Sequence, residues 1–204
     1  MITLIDYGVG NIFAFQNVYK RLDIPTKIAK THEDLSDAKK LILPGVGSFD
    51  YAMGQLNASG MREKLDELVL KKKVPVIGIC VGMQMMGNRS DEGKLEGLKW
   101  IDSEILKFDE NLIQQRTKLP HMGWNDVAPV KNHPLFIGLD KEAIFYFLHS
   151  FYFKCNNPAD SIAVSHYGLS FSSAVNKDNI YGIQFHPEKS HQYGEKLLHN
   201  FAKL

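Results

Sequence analysis

The chain has 204 residues, 44% of them apolar and 23% charged, with a net charge of +1. That length suits one domain with a substantial core. The near-neutral balance leaves no electrostatic footprint for nucleic acid or an anionic membrane surface, and no apolar run reaches the roughly 18 residues of a membrane span. The two cysteines, Cys80 and Cys155, are too few for a disulfide-stapled secreted fold, and the first residues read as a strand rather than a leader. A cytoplasmic protein with reduced thiols is therefore expected.

The first half alternates in type. Residues 2–7 read as a strand, 12–22 as an amphipathic helix with Phe15, Val18, Tyr19 and Leu22 at helical spacing, and 27–29 and 40–43 as short strands. After the loop at 44–48, residues 61–73 carry Leu65, Leu68 and Val69 on one helical face, and 74–79 form an apolar strand. Strands alternating with helices predict an α/β fold, a doubly wound, mainly parallel open sheet with helices on both faces. In such sheets, sites collect at the carboxyl ends of the strands. The second half is richer in strands, predicted at 98–108, 143–153, 161–167, 170–176 and 180–186, some of them antiparallel. A closing helix is predicted at 193–204, and 111–118 is the most polar loop. The whole of 1–204 reads as a single domain.

The strand at 74–79 ends on Cys80, within Gly78-Ile79-Cys80-Val81-Gly82. A strand that delivers a nucleophile between two glycines has the form of a nucleophile elbow, a sharp strand-to-helix turn that exposes the reactive atom at the end of a sheet. A thiol attacks as its thiolate, which the start of a helix favours. The Val81 N–H falls where one oxyanion donor usually lies. Alone, the motif also fits a buried cysteine acting as a small hydrophobe.

A second apolar run delivers His186-Pro187-Glu188. Proline holds the residue before it extended, and residues two apart in an extended segment share a side. Glu188 can therefore orient the His186 ring, as the third member of a triad does. By itself the triplet also fits a surface histidine beside a glutamate. What favours catalysis is that both motifs close apolar strands. Pro44-Gly45-Val46-Gly47-Ser48 has neither the lysine of a P-loop nor a three-glycine dinucleotide fingerprint. Gly45, Val46 and Gly47 better suit a loop whose N–H groups hold an acyl oxyanion or a substrate carboxylate. His149, Cys155 and His166 have no zinc-ligand spacing, and neither a metal nor a cofactor is expected.

Taken in order, these elements resemble the triad-type glutamine amidotransferases. Ile5-Asp6-Tyr7-Gly8-Val9-Gly10-Asn11, the run from Leu43 to Phe49, Pro120-His121-Met122-Gly123-Trp124-Asn125 and the run from Gln184 to Ser190 resemble the glutaminase subunits of imidazole glycerol phosphate synthases. The resemblance covers essentially the whole chain, and the block around Trp124 is its most specific part. It implies Cys80 as nucleophile, His186 as base and Glu188 as its orienter, acting on L-glutamine. It also implies a glutamine pocket that includes Gly47, Gln84, Glu92, His149 and Ser150. The expected partner is a (β/α)8 synthase subunit, held in a heterodimer through Trp124 and Lys189, which receives the ammonia and stimulates an otherwise low glutaminase activity. Trp124 also reads as core and Lys189 as a solvated charge. Where the family usually has His-Ser/Thr-Tyr, this chain has His149-Ser150-Phe151. Residues 97–102 and 190–194 look closer to relatives that supply ammonia for amidine-bearing sugars of surface polysaccharides or flagellar glycans. A cysteine peptidase of similar fold is opposed by the Trp124 block and Glu188, and a non-catalytic scaffold for the barrel subunit is opposed by the intact triad.

Overall fold

The computed structural model describes residues 1–140 and 142–204. The first half contains β1 (Ile2–Ile5), α1 (Ile12–Arg21), β2 (Thr26–Ala29), β3 (Leu41–Gly45), α2 (Phe49–Ala58), α3 (Arg62–Asp66), β4 (Val76–Cys80) and α4 (Val81–Met85), with the four strands and α1 where the sequence predicts them. Every residue of β1, β3 and β4 is buried, the pattern of parallel strands covered on both faces. Helix α1 starts where the Asn11 side chain accepts the Ala14 N–H at 3.2 Å, and it buries Ile12, Phe15, Val18 and Tyr19. Helix α2, in a stretch for which the sequence predicts no element, buries Phe49, Ala52, Met53 and Leu56 at the same kind of spacing.

The second half contributes β5 (Arg89–Ser90), β6 (Ser103–Lys107), β7 (His121–Asp126), β8 (Ala128–Pro129), β9 (Ile144–His149), β10 (Phe151–Cys155), β11 (Ser161–Tyr167), β12 (Leu169–Lys177), β13 (Ile180–Ile183) and α5 (His191–Lys203). Among the described residues, eleven strands form one sheet in the order β2-β1-β3-β4-β13-β12-β10-β6-β5, with β11 beside β12 and β8 beside β11. From β2 to β13 the neighbours are parallel. Beyond β13 the pairings are antiparallel, apart from the short β5–β6 pair. Strands β7 and β9 form a separate antiparallel pair. No helix among the described residues is long and apolar enough to cross a membrane.

Three expected elements are realised differently. The predicted strand at 98–108 is a strand only over Ser103–Lys107. The N–H groups of Leu98, Trp100 and Ile101 go instead to the carbonyls of Met85 and Met86 at 2.7–3.1 Å, closing the end of α4. The helix at 61–73 is α-helical only over Arg62–Asp66 and continues as a π-helical turn over Glu67–Lys71. The predicted strand at 143–153 breaks at Ser150, because β9 pairs with β7 while β10 pairs with β6 and β12. One apolar run thus serves two sheets, and that break falls beside the candidate site.

Trp100 anchors the irregular segment: it is buried, and its Nε1–H donates to Asp66 Oδ1 at 2.7 Å. Trp100→Phe is expected to lower unfolding free energy in urea by about 1–3 kcal/mol, from the lost hydrogen bond and the smaller ring, with the triad geometry unchanged.

Candidate active site

The site begins with packing between backbones. Cys80 closes β4 at φ 56°, ψ −115°, a strained conformation for a residue with a side chain. Its neighbours leave no other path. A Cβ on Gly78 would lie 2.6 Å from Gly82 O, one on Gly82 would collide with Leu43 O, and one on Gly45 with the Gly82 N–H. The three glycines let the ends of β3 and β4 and the first turn of α4 interlock, which turns the Cys80 thiol toward the end of the sheet.

Strand β13 lies parallel to β4 with Gly182 opposite Gly78 and Ile183 opposite Ile79. Gln184 is thereby level with Cys80, and His186 lies two residues beyond. The apolar pattern predicts this strand over 180–186, whereas it ends at Ile183. Past that point the Gln184 N–H still bonds Ser173 O at 2.9 Å, and the His186 N–H crosses to Tyr146 O on β9 at 2.8 Å. His186 therefore spans the gap between the two sheets. The Ser190 hydroxyl fixes the turn, donating to His186 O at 2.6 Å while accepting the Tyr146 N–H at 3.0 Å.

Glu188 Oε1 accepts from His186 Nδ1 at 2.8 Å, with both side chains almost fully buried. The expected pairing is present, but its backbone is not extended throughout: Pro187–Lys189 is a 3-10 turn, and the turn brings the carboxylate under the ring. Burial works against an imidazolium at His186. Its hydrogen bonds and charge interactions with Cys80 and Glu188 outweigh burial and raise the ring well above its ordinary range. With Nδ1 committed to Glu188, Nε2 is the nitrogen left for the thiol.

A cleft of about 320 Å³ opens over Cys80. Val46, Gly47, Val81, Gln84, Glu92, His149, Ser150, His186 and Lys189 all line it, so nearly every residue expected of a pocket is brought there from separate stretches of chain. Gly45 is instead the last residue of β3, paired with Cys80. Glu92 Oε2 also holds the first turn of α2, accepting the Phe49 N–H at 2.8 Å. Trp124 lies outside the cleft on β7, 45% exposed and stacked on His191 with ring centroids 5.3 Å apart, so it is not core. Lys189 Nζ lies 5.6 Å from the centroid of the Tyr146 ring. Cys155 sits at the far end of β10, and burial pushes its thiol up to about 11.

Several participants carried no assignment from the sequence. Leu148 and Pro120 line the cleft. The Tyr7 hydroxyl donates to Pro44 O at 2.6 Å and pins the start of the glycine loop. At the break between β9 and β10, the Phe151 carbonyl accepts from Gln84 Nε2 at 3.1 Å and from His149 Nδ1 at 2.8 Å. The family's tyrosine hydroxyl is absent at Phe151, yet its backbone organises two pocket residues. Behind it His149 Nε2 meets His121 Nδ1 at 2.9 Å. The one signal for His121 in the sequence is its place in the Trp124 block.

Burial lowers His121 to about 4. Burial, with the charges of His121 and His186, lowers His149 to about 3. His133 is also lowered, mainly by burial. The unfolded chain takes up protons at these histidines near pH 6.5 while the folded chain does not. Stability should therefore fall as pH drops from 6.5 to 5, above most carboxylate titration. His186, raised in the folded state, acts in the opposite sense but only near the top of that range, because the unfolded chain is itself protonated there as pH falls below 6.5, so the two buried histidines outweigh it. Urea unfolding across that range should show the decline, and His121→Gln should make it shallower; an unchanged slope would contradict a buried neutral pair.

Residues 3–204 match the family described as Glutamine amidotransferase class-I. The imidazole glycerol phosphate synthase subunit HisH of Bdellovibrio bacteriovorus is 57% identical over 204 residues, covering all of both chains. That of Leptospira interrogans is 48% identical, again over the full length of both. Among solved structures, a crystal structure of a glutamine amidotransferase has a TM-score of 0.76 at 17% identity, covering 99% of this chain and 97% of the other. A glutamine amidotransferase from Thermotoga maritima has a TM-score of 0.65 at 15% identity, covering 99% and 82%. These last two likenesses concern the fold alone. With the family matched from residue 3 to the last and full-length relatives at about half identity, the chain belongs to the class-I glutamine amidotransferases, in the group of imidazole glycerol phosphate synthase HisH subunits.

Proposed function

We propose that this chain is a single glutaminase domain, residues 1–204, that hydrolyses L-glutamine at Cys80 and passes the ammonia to a (β/α)8 cyclase subunit in a cytoplasmic heterodimer. There the ammonia closes the imidazole ring, giving imidazole glycerol phosphate and AICAR in histidine biosynthesis. The observation that carries the reading is that Cys80 and His186 share one cleft, with Glu188 bonded to the far nitrogen of the His186 ring.

The chemistry follows from the charges. The Cys80 sulfur, paired with the His186 imidazolium, attacks the side-chain amide carbon of glutamine, and the C=O electrons move onto oxygen. The Val81 N–H and the loop at Val46 and Gly47 lie where donors to that oxyanion are needed. Gly45 contributes the close approach that sets the loop. His186 then protonates the departing nitrogen, the C–N bond breaks, and ammonia leaves a γ-glutamyl thioester on Cys80. Neutral His186 next takes a proton from water, whose oxygen attacks the thioester carbon. The C–S bond breaks, releasing glutamate and restoring the ion pair. Glu188 holds the tautomer and balances the imidazolium throughout. Gln84, Glu92 and Ser150 supply polar groups for the amino-acid end of the substrate, and His149, whose ring nitrogens are taken by Phe151 O and His121 Nδ1, forms the wall beside them.

The docking side in this reading is the exposed face of β7 and β9. Met122 and Leu148 lie opposite one another in register, both exposed, with Trp124 and Ile144 also exposed on these strands. An exposed aromatic and aliphatic face beside the mouth of a cleft suits a partner that must receive a small product before it escapes. Lys189, at the edge of that cleft, completes the contact.

Cys80→Ala should reduce glutamine-dependent synthesis by the complex by about 10³-fold or more while synthesis from ammonium salts persists. Loss of both in an intact complex would overturn the mechanism, and a wild-type complex that used ammonia but never glutamine would point to a scaffold. Trp124→Ala should weaken binding of the cyclase subunit by roughly 30-fold, about 2 kcal/mol, measured by titration calorimetry.

A further inference from the structure

Gln184 is fully buried and precedes the catalytic motif by two residues. Its Nε2 lies 3.8 Å from Cys80 Sγ and donates to it. Oxygen and nitrogen of a glutamine amide are ordinarily assigned from the surrounding bonds, and here those bonds allow one assignment. The Phe151 carbonyl can only accept, so the group facing it at 3.1 Å must be the NH₂ of Gln84. The second hydrogen of that NH₂ meets Gln184 at 3.0 Å, so the atom there must be the Gln184 oxygen. The Gln184 NH₂ is then the end that faces the sulfur. The same carbonyl fixes the other direction: His149 must donate from Nδ1, its Nε2 accepts from His121 Nδ1, and His121 Nε2 accepts from Asn125 Nδ2 at 3.2 Å. No group in this series is free to reverse.

We propose that Gln184 is a further catalytic residue, whose fixed amide N–H donates to the Cys80 sulfur and holds it as the thiolate. This rests on Cys80 being the nucleophile. The sulfur otherwise faces the Leu148 carbonyl at 3.9 Å, an acceptor that favours the protonated thiol. His186 favours the thiolate by charge, but it must give up its proton to the leaving nitrogen. Gln184 carries no proton to give, so its N–H remains on the sulfur when His186 has become neutral and when the sulfur is expelled from the thioester. The sulfur is thus supported at the one moment the ion pair is broken. The other titratable or charged groups around it are Tyr7, whose raised titration reflects burial and then Cys80, Glu188 behind the imidazole, His149, held neutral by burial, and Glu92 and Lys189 along the cleft.

The test is the pH dependence of Cys80 alkylation by iodoacetamide, read by peptide mass spectrometry to separate it from Cys155. Gln184→Glu keeps the shape and the contact with Gln84 but places a carboxylate oxygen on the sulfur. It should move the alkylation midpoint up by about one pH unit or more, as expected when a thiolate loses a donor and gains a negative neighbour. Gln184→Leu, which removes the donor without adding charge, should move it in the same direction by less. Both should lower kcat for glutamine with a smaller effect on KM. An unchanged midpoint in a folded Gln184→Leu protein would overturn the proposal, and Gln184→Leu carries the decision alone if Gln184→Glu does not fold. Cys80→Ala separates the two levels: glutaminase activity surviving it refutes Cys80 as nucleophile, whereas its loss together with an unmoved midpoint in the Gln184 variants refutes only the role of Gln184.

Discussion

A residue with a side chain stays at φ 56°, ψ −115° only where its surroundings leave it no alternative. At Cys80 the surroundings are three glycines, Gly45, Gly78 and Gly82, whose backbones touch where any Cβ would collide. That close approach joins the ends of β3 and β4 to the start of α4. It fixes the direction of the thiol, the position of the loop that begins at Gly45 and the path of the Val81 N–H. A strain of order 1–3 kcal/mol is small beside the packing of the strands on either side, Leu41–Gly45 and Ile180–Ile183. Such rigidity suits the proposed oxyanion donors, which help only when they are already in place as the charge develops.

The second determinant is the seam between two sheets. His186 lies where the main sheet has ended and the β7–β9 pair begins, its N–H on Tyr146 and its carbonyl on Ser190. The opposite side of the cleft is the break between β9 and β10, where the Phe151 carbonyl organises Gln84 and His149. A seam leaves backbone groups unpaired by either sheet, and buried backbone groups must find partners. Two of the side chains that supply those partners, Gln84 and His149, line the cleft, while Ser190 supplies the others from behind it. The same seam brings the exposed face of β7, with Met122 and Trp124, close to the chemistry.

Much of this was legible in the sequence, and for physical reasons. The strands at Ile2, Leu41 and Val76 announce themselves because a parallel strand buried on both faces is a continuous apolar run. The elbow is visible because only glycine permits its contacts. The His186–Glu188 pairing is visible because it is local, although a 3-10 turn rather than extended chain produces it. What the sequence obscured was the course of chain whose hydrogen bonds are tertiary. Leu98 to Ile101 is as apolar as a strand, yet its N–H groups serve the end of α4. The run from Ala143 to Phe153 has no pattern that tells one strand from two in different sheets. His121 and Gln184 are single polar residues in apolar company, with no spacing that predicts their partners.

The sequence by itself determined the chemistry available: a thiol on a glycine-bounded turn, an imidazole with its own carboxylate, and a flexible glycine loop, each set by residues within a few positions of one another. Only the tertiary structure decided that these meet. Cys80 and His186 are 106 positions apart (186 − 80), and their approach depends on β13 lying parallel beside β4 with Gly182 opposite Gly78. Strand order and register depend on the packing of the whole sheet, which no local pattern encodes. The orientation of Gln184 was settled at the same level, because a buried amide takes its direction from its partners, and here the chain of partners begins at one carbonyl that can only accept.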